Sequence, residues 1–98
     1  MDTFEVLRER LAKKAASVGQ FNKIIRLELD GNVMILNGNT SPPSIQDDAE
    51  SPDITISSSI EVFSNMLDKK INPQLAIMTR KIKIKGDILA ATPLMGML

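Results

Sequence analysis

The chain has no histidine and no cysteine among its 98 residues, so bond-making chemistry near neutral pH falls to carboxylates and lysines tuned by their surroundings. The one close group of carboxylates is Asp47, Asp48 and Glu50. It sits in a polar stretch rich in Ser, Pro and Asp, with nothing apolar to desolvate it. A solvated acidic loop is the expectation, able at most to hold a hard cation weakly, because the ligand spacing of a calcium loop is missing. Gly-rich phosphate turns are missing too. The lack of Cys removes disulfides, thiolate nucleophiles and thiolate metal sites together. The sequence therefore predicts no catalytic residue, no metal and no cofactor.

Methionine and lysine carry more information. Six Met stand against three Phe, with no Trp or Tyr. Met34, Met66, Met78, Met95 and Met97 all lie in apolar contexts. Singly, each reads as a core filler. Together, beside the uncharged tail from Leu94 to Leu98, these adaptable thioethers favour a pliable apolar cavity. Charge sums to zero but is unevenly spread. Residues 27–68 hold eight acids and no base, whereas residues 69–85 hold Lys69, Lys70, Arg80, Lys81, Lys83 and Lys85 and no acid. That basic stretch has two readings: a patch for anionic lipid head groups, worth about 1 kcal/mol per cation, or a solvent face whose lysines keep an edge strand from pairing. Zero net charge and the scarcity of stacking rings argue against nucleic acid.

The elements that position these residues follow from periodicity. Phe4, Leu7, Leu11, Ala15 and Val18 have helical spacing, with Asp2 and Glu5 as a capping box and Gly19 as terminator. Lys23 to Leu29 alternates, and Asp30-Gly31 predicts a tight hairpin into Val33–Leu36. Residues 38–52 read as loop, with Ser44–Gln46 available as a short edge strand. Asp53 to Ser57 alternates again. Ser58 and Glu61 have the spacing of a capping box that opens a helix carrying Ile60, Phe63, Met66 and Leu67. Asn72-Pro73 starts another helix, with Pro at the first position. Lys81 to Lys85 forms a last strand, and Asp87 caps a segment that Pro93 stops or restarts. One domain spanning 1–98 is the economical organisation. No signal-peptide layout and no spanning-length apolar run are present, so the chain reads as soluble and cytoplasmic.

Four blocks of residues resemble the sterol carrier protein type 2 lipid-transfer family. They are Pro52-Asp53-Ile54-Thr55-Ile56; Phe63 with Met66-Leu67; Lys70-Ile71-Asn72-Pro73-Gln74-Leu75-Ala76; and Lys81-Ile82-Lys83-Ile84-Lys85-Gly86-Asp87. The match is close over the C-terminal half and looser toward the N-terminus, in the manner of short bacterial stand-alone versions. The resemblance implies an α+β fold: a five-stranded, mostly antiparallel (mixed) sheet covered on one face by four or five helices. It also implies an apolar tunnel between the layers, involving Phe63, Met66, Leu75, Ile77, Met78, Ile82, Ile84, Leu89, Leu94 and Met95. The implied function is non-catalytic binding or transfer of a fatty acid, acyl-CoA, phospholipid or sterol-like molecule. Against the family pattern, the usual Gly before the first Lys is replaced in Asp68-Lys69-Lys70, and the usual Gly-Lys before the last strand is Arg80-Lys81.

A sealed, dry pocket of about 400 Å³ would cost about 10 kcal/mol at the rate found for engineered cavities. That equals the whole stability of a small domain. The cavity is thus expected to hold lipid, admit water or be plugged by Leu94–Leu98. The competing reading is an interaction module: a homodimer formed through the Phe63 face and the tail, or an accessory lipid-binding factor for an enzyme of quinone or fatty-acid metabolism.

Overall fold

A computed structural model describes residues 3–49 and 51–98. Helix α1 (Phe4–Ala15) precedes strands β1 (Ile24–Leu29), β2 (Asn32–Asn37), β3 (Ser44–Gln46) and β4 (Ile54–Ser58). Helices α2 (Ile60–Leu67) and α3 (Pro73–Met78) follow, then β5 (Lys83–Gly86), a 3-10 turn (Ile88–Ala91) and α4 (Thr92–Met95). The five strands form one mixed sheet in the order β3-β2-β1-β4-β5. Only β1 and β4 run parallel; the other neighbours are antiparallel. The α+β architecture expected from the sequence is present, with four α-helices among the described residues.

Alternation divides the sheet into two faces. Ile25, Leu27 and Leu29 of β1 stand in register with Leu36 and Met34 of β2 and with Ile54 and Ile56 of β4. These seven, with Leu7, Leu11 and Ala15 of α1 and Phe63, Met66 and Leu67 of α2, form the core on the helix side. Ile56 is opposite Ile84, which carries that face onto β5. The outer face holds Arg26, Glu28, Thr55 and Ser57, with Lys85 and Lys83 opposite the last two. Arg26 pairs there with Glu28, which also accepts from the Ser57 hydroxyl at 3.1 Å.

Turn and cap chemistry places the elements. Asp30 and Gly31 adopt φ values of 50° and 84°, as the two-residue turn of a tightly twisted hairpin requires. The Asp30 carboxylate then accepts from the Ile60 N–H at 2.9 Å, tying the hairpin tip to the start of α2. Thr3 caps α1, accepting from the Val6 N–H at 3.2 Å; the Asp2 cap expected there lies outside the described residues. Helix α2 is capped by Ser59 rather than Ser58, its hydroxyl accepting from the Val62 N–H at 3.0 Å. Ser58 is committed to β4, opposite Leu29 of β1, so the cap falls one residue later.

Strands β3 and β4 stand on opposite sides of the hairpin, so the connection between them must cross it. Asp47 pairs with Arg8 of α1 at 2.8 Å, whereas Asp48 accepts from Arg26 on the outer face at 3.4 Å. The acidic loop is solvated as expected, the Asp47 and Asp48 side chains being 93% and 67% exposed. Glu50 lies outside the described residues. Ile35, on the outer face, is fully buried.

Candidate functional site

The main concavity lies between α3 and the segment formed by the 3-10 turn and α4. Helix α3 exists because Asn72 caps it, accepting from the Gln74 N–H at 2.8 Å, and because Pro73 suits the first turn. Six residues make fewer than two turns, so neighbouring apolar side chains point in different directions. Ala76 is buried on the core, Ile77 faces the groove, and Leu75 and Met78 stand 57% and 76% exposed. On the opposite wall, Asp87 caps the 3-10 turn, accepting from the Leu89 N–H at 3.0 Å. Ala90 and Ala91 are buried beneath, where the turn packs on β1 and β4. Ile88 faces the groove, and Leu89 is 76% exposed. Thr92 and Met95 of α4 complete the wall.

This groove encloses about 550 Å³, within the range of small-molecule sites. Its lining is apolar at Pro73, Ile77, Ile88 and Met95 and polar at Asn72, Gln74 and Thr92. A second hollow of about 240 Å³ shares Asn72 and Pro73 with the first and adds Met66, Lys69, Ile71 and Leu98. A third, of about 250 Å³, shares Lys69 and Leu98 with the second and reaches Lys14, Ser17 and Val18 at the end of α1. The three hollows thus form a chain along the C-terminal tail. All three open to solvent, so none of them is a sealed dry void.

The residues that the family resemblance assigns to a tunnel separate into three groups. Ile77 and Met95 line the groove, and Met66 lines the second hollow. Phe63, Ile82 and Leu94 are buried in the core beneath, with Ile84 packed at its margin. Leu75, Met78 and Leu89 are exposed and outside the lining. Sequence reasoning did not single out Ile88, Ile71, Gln74 or Thr92 as lining residues. The signal for Ile88 was present: a capping Asp87 makes it the first residue of a turn that lies across from α3.

The basic stretch also separates. Lys83 and Lys85 project from the outer face of the sheet, opposite Ser57 and Thr55. Lys69 and Lys70 precede α3, and Arg80 and Lys81 follow it, all exposed. Lys69 and Arg80 both adopt φ of 60°. That left-handed conformation costs an L-residue about 1–2 kcal/mol and is ordinarily given to glycine. These are the two positions at which the sequence carries a cation where the resemblance leads one to expect Gly.

No group of three or more potential metal ligands occurs among the described residues. No helix among them is long and apolar enough to cross a membrane.

Comparison with known proteins agrees with this architecture. No curated protein sequence matches the chain. Among solved structures, sterol carrier protein 2 like 2 from Aedes aegypti superposes with a TM-score of 0.81 at 19% identity, covering 96% of this chain and 94% of that one. The palmitated form of the same protein, solved by NMR, gives a TM-score of 0.77 at 19% identity, with coverages of 97% and 93%. Sterol carrier protein 2 from Yarrowia lipolytica, in its apo form, gives 0.69 at 27% identity, with coverages of 96% and 84%. The profile of the SCP-2 sterol transfer family matches residues 4–98, the span that builds both the sheet and the groove, and the chain belongs to that family.

Proposed function

We propose that residues 1–98 act as one non-catalytic lipid-binding domain, which holds a fatty-acyl chain or a phospholipid or sterol-like molecule in the groove between α3 and the C-terminal segments. The observation that carries this reading is the series of three adjacent hollows, which share lining residues and end on Met97 and Leu98. Membership of a sterol transfer family and the likeness to a palmitated relative support it. Ile77, Ile88 and Met95 supply apolar contact, while Asn72, Gln74 and Thr92 offer hydrogen bonds to a polar head. Leu98 borders two of the hollows and packs only at the margin of the core, so the last residue of the tail can yield to a longer guest while Leu94 and Met97 stay in the core. The cations at the ends of α3, Lys69, Lys70, Arg80 and Lys81, suit contact with anionic lipid where the guest is collected.

The reading predicts that the purified protein takes up cis-parinaric acid saturably, and that native mass spectrometry after gentle purification shows a lipid adduct. Ile77→Asp, which puts a charge on the groove wall at a half-buried position beside the core cluster, is expected to weaken that uptake at least tenfold while urea unfolding shows the domain still folded. A protein that is stoichiometrically free of lipid and also indifferent to cis-parinaric acid would defeat the proposal.

A further inference from the structure

Five large apolar side chains stand exposed among the described residues, and four of them sit on the two segments that wall the groove. Leu75 and Met78 are on α3, at 57% and 76% exposure; Ile88 and Leu89 are on the 3-10 turn, at 56% and 76%. The fifth, Val6 of α1, is at 40%. Cations bracket α3 at both ends, and Asp87 is the one acid between residues 69 and 98. No ion pair occupies Lys69, Lys70, Arg80 or Lys81 among the described residues, whereas Asp68 beside them is taken by Arg10 at 2.5 Å.

We infer that this face is a membrane-docking surface. The four apolar residues are lips that enter the head-group level of a bilayer, and the unpaired cations at the ends of α3 meet anionic lipid around them. An apolar strip flanked by Lys and Arg is the composition of interfacial membrane-binding surfaces. Protein–protein interfaces, in contrast, are depleted in Lys. Docked in this way, the groove opens directly onto acyl chains, so a guest passes between bilayer and protein without crossing water. The inference rests on the lipid-binding reading and adds an orientation to it. It also divides the basic stretch: Lys83 and Lys85 lie on the far face of the sheet and take no part.

Flotation with mixed phosphatidylcholine–phosphatidylglycerol vesicles tests this, using the full chain. Met78→Ser with Leu89→Ser should weaken vesicle partition about tenfold or more. Lys70→Gln with Lys81→Gln should weaken it about tenfold at low salt. Lys83→Gln with Lys85→Gln, compared with that variant at about 0.15 M salt, should leave partition within about twofold, since charges beyond a Debye length are then screened. All three variants alter exposed side chains outside the groove lining and should retain uptake of cis-parinaric acid in solution. Unaltered flotation of the Met78/Leu89 variant would overturn the inference, as would equal losses in the two lysine variants. So would a concentration-dependent dimer that the Met78/Leu89 variant dissolves while the wild type ignores vesicles. Uptake of cis-parinaric acid without flotation overturns the docking surface alone; flotation without uptake overturns the lipid-binding reading alone.

Discussion

The β1–β2 hairpin and the α3–turn–α4 segment contain similar proportions of aliphatic side chains and use them in opposite ways. In the hairpin, Ile25, Leu27, Leu29, Met34, Ile35 and Leu36 are all fully buried. In the C-terminal segment, Leu75, Met78, Ile88 and Leu89 remain largely in water around an open groove. The contrast has a geometrical origin. A strand in a covered sheet offers two faces, both of which can be occupied, whereas a helix of six residues or a single 3-10 turn points its side chains around a full circle against one supporting layer. Burial is therefore complete where secondary structure is extended and paired, and partial where it is short and curled. The region that keeps the fold and the region proposed to serve it are physically distinct.

Stability measurements can break or sharpen that division. The largest effect belongs to Leu27→Ala, which empties a site at the centre of the sheet and should cost about 3 kcal/mol in urea unfolding. Met78→Ser, by the same measurement, should stay within about 0.5 kcal/mol; comparable losses in the two variants would erase the distinction. Next comes Gly86→Ala. Gly86 has φ of 114°, and an added Cβ would lie 2.6 Å from the Asp53 carbonyl oxygen, a backbone atom that cannot swing aside. A loss of about 2 kcal/mol is expected, with β5 detaching first by hydrogen exchange. Ser59→Ala should cost about 1 kcal/mol through the lost cap of α2, and Ser58→Ala clearly less. The smallest effect has the opposite sign: Lys69→Gly relieves a left-handed L-residue and should stabilise the protein by about 0.5 kcal/mol. It should at the same time weaken vesicle flotation, which would separate the service of that cation from its structural cost.

Much of the framework was legible in the residues. Asp30-Gly31 specified the hairpin and its register because only that two-residue turn aligns Ile25 with Leu36. Asn72-Pro73 and Asp87 marked the start of both groove walls, since each cap is a local interaction. The misplacement at Ser58 has a tertiary cause: two adjacent serines are equally competent to cap, and pairing of β4 with β1 decides between them. Exposure of Leu75, Met78 and Leu89 was not legible, because apolar identity signals burial only over enough turns to define a face. The full burial of Ile35 was hidden for a related reason. It stands in register with Arg26 and Gln46 on the outer face, where strand alternation alone announces solvent. The methionines and the uncharged tail suggested an apolar cavity, but its place between helices and sheet came only from the family resemblance, as a hollow is defined by what neighbouring elements fail to fill.

One further consequence follows from the pairings that β4 makes. The β1–β2 and β2–β3 seams join segments close in the chain, but the β1–β4 seam brings Ile25 beside Ile54 and the β4–β5 seam brings Ile54 beside Gly86. Closing so long an intervening stretch carries more entropic penalty than closing a hairpin, and non-local pairings slow folding. The β1–β2 ribbon can thus close on local contacts alone, whereas the half that carries the groove joins the sheet only through the two long closures that β4 makes.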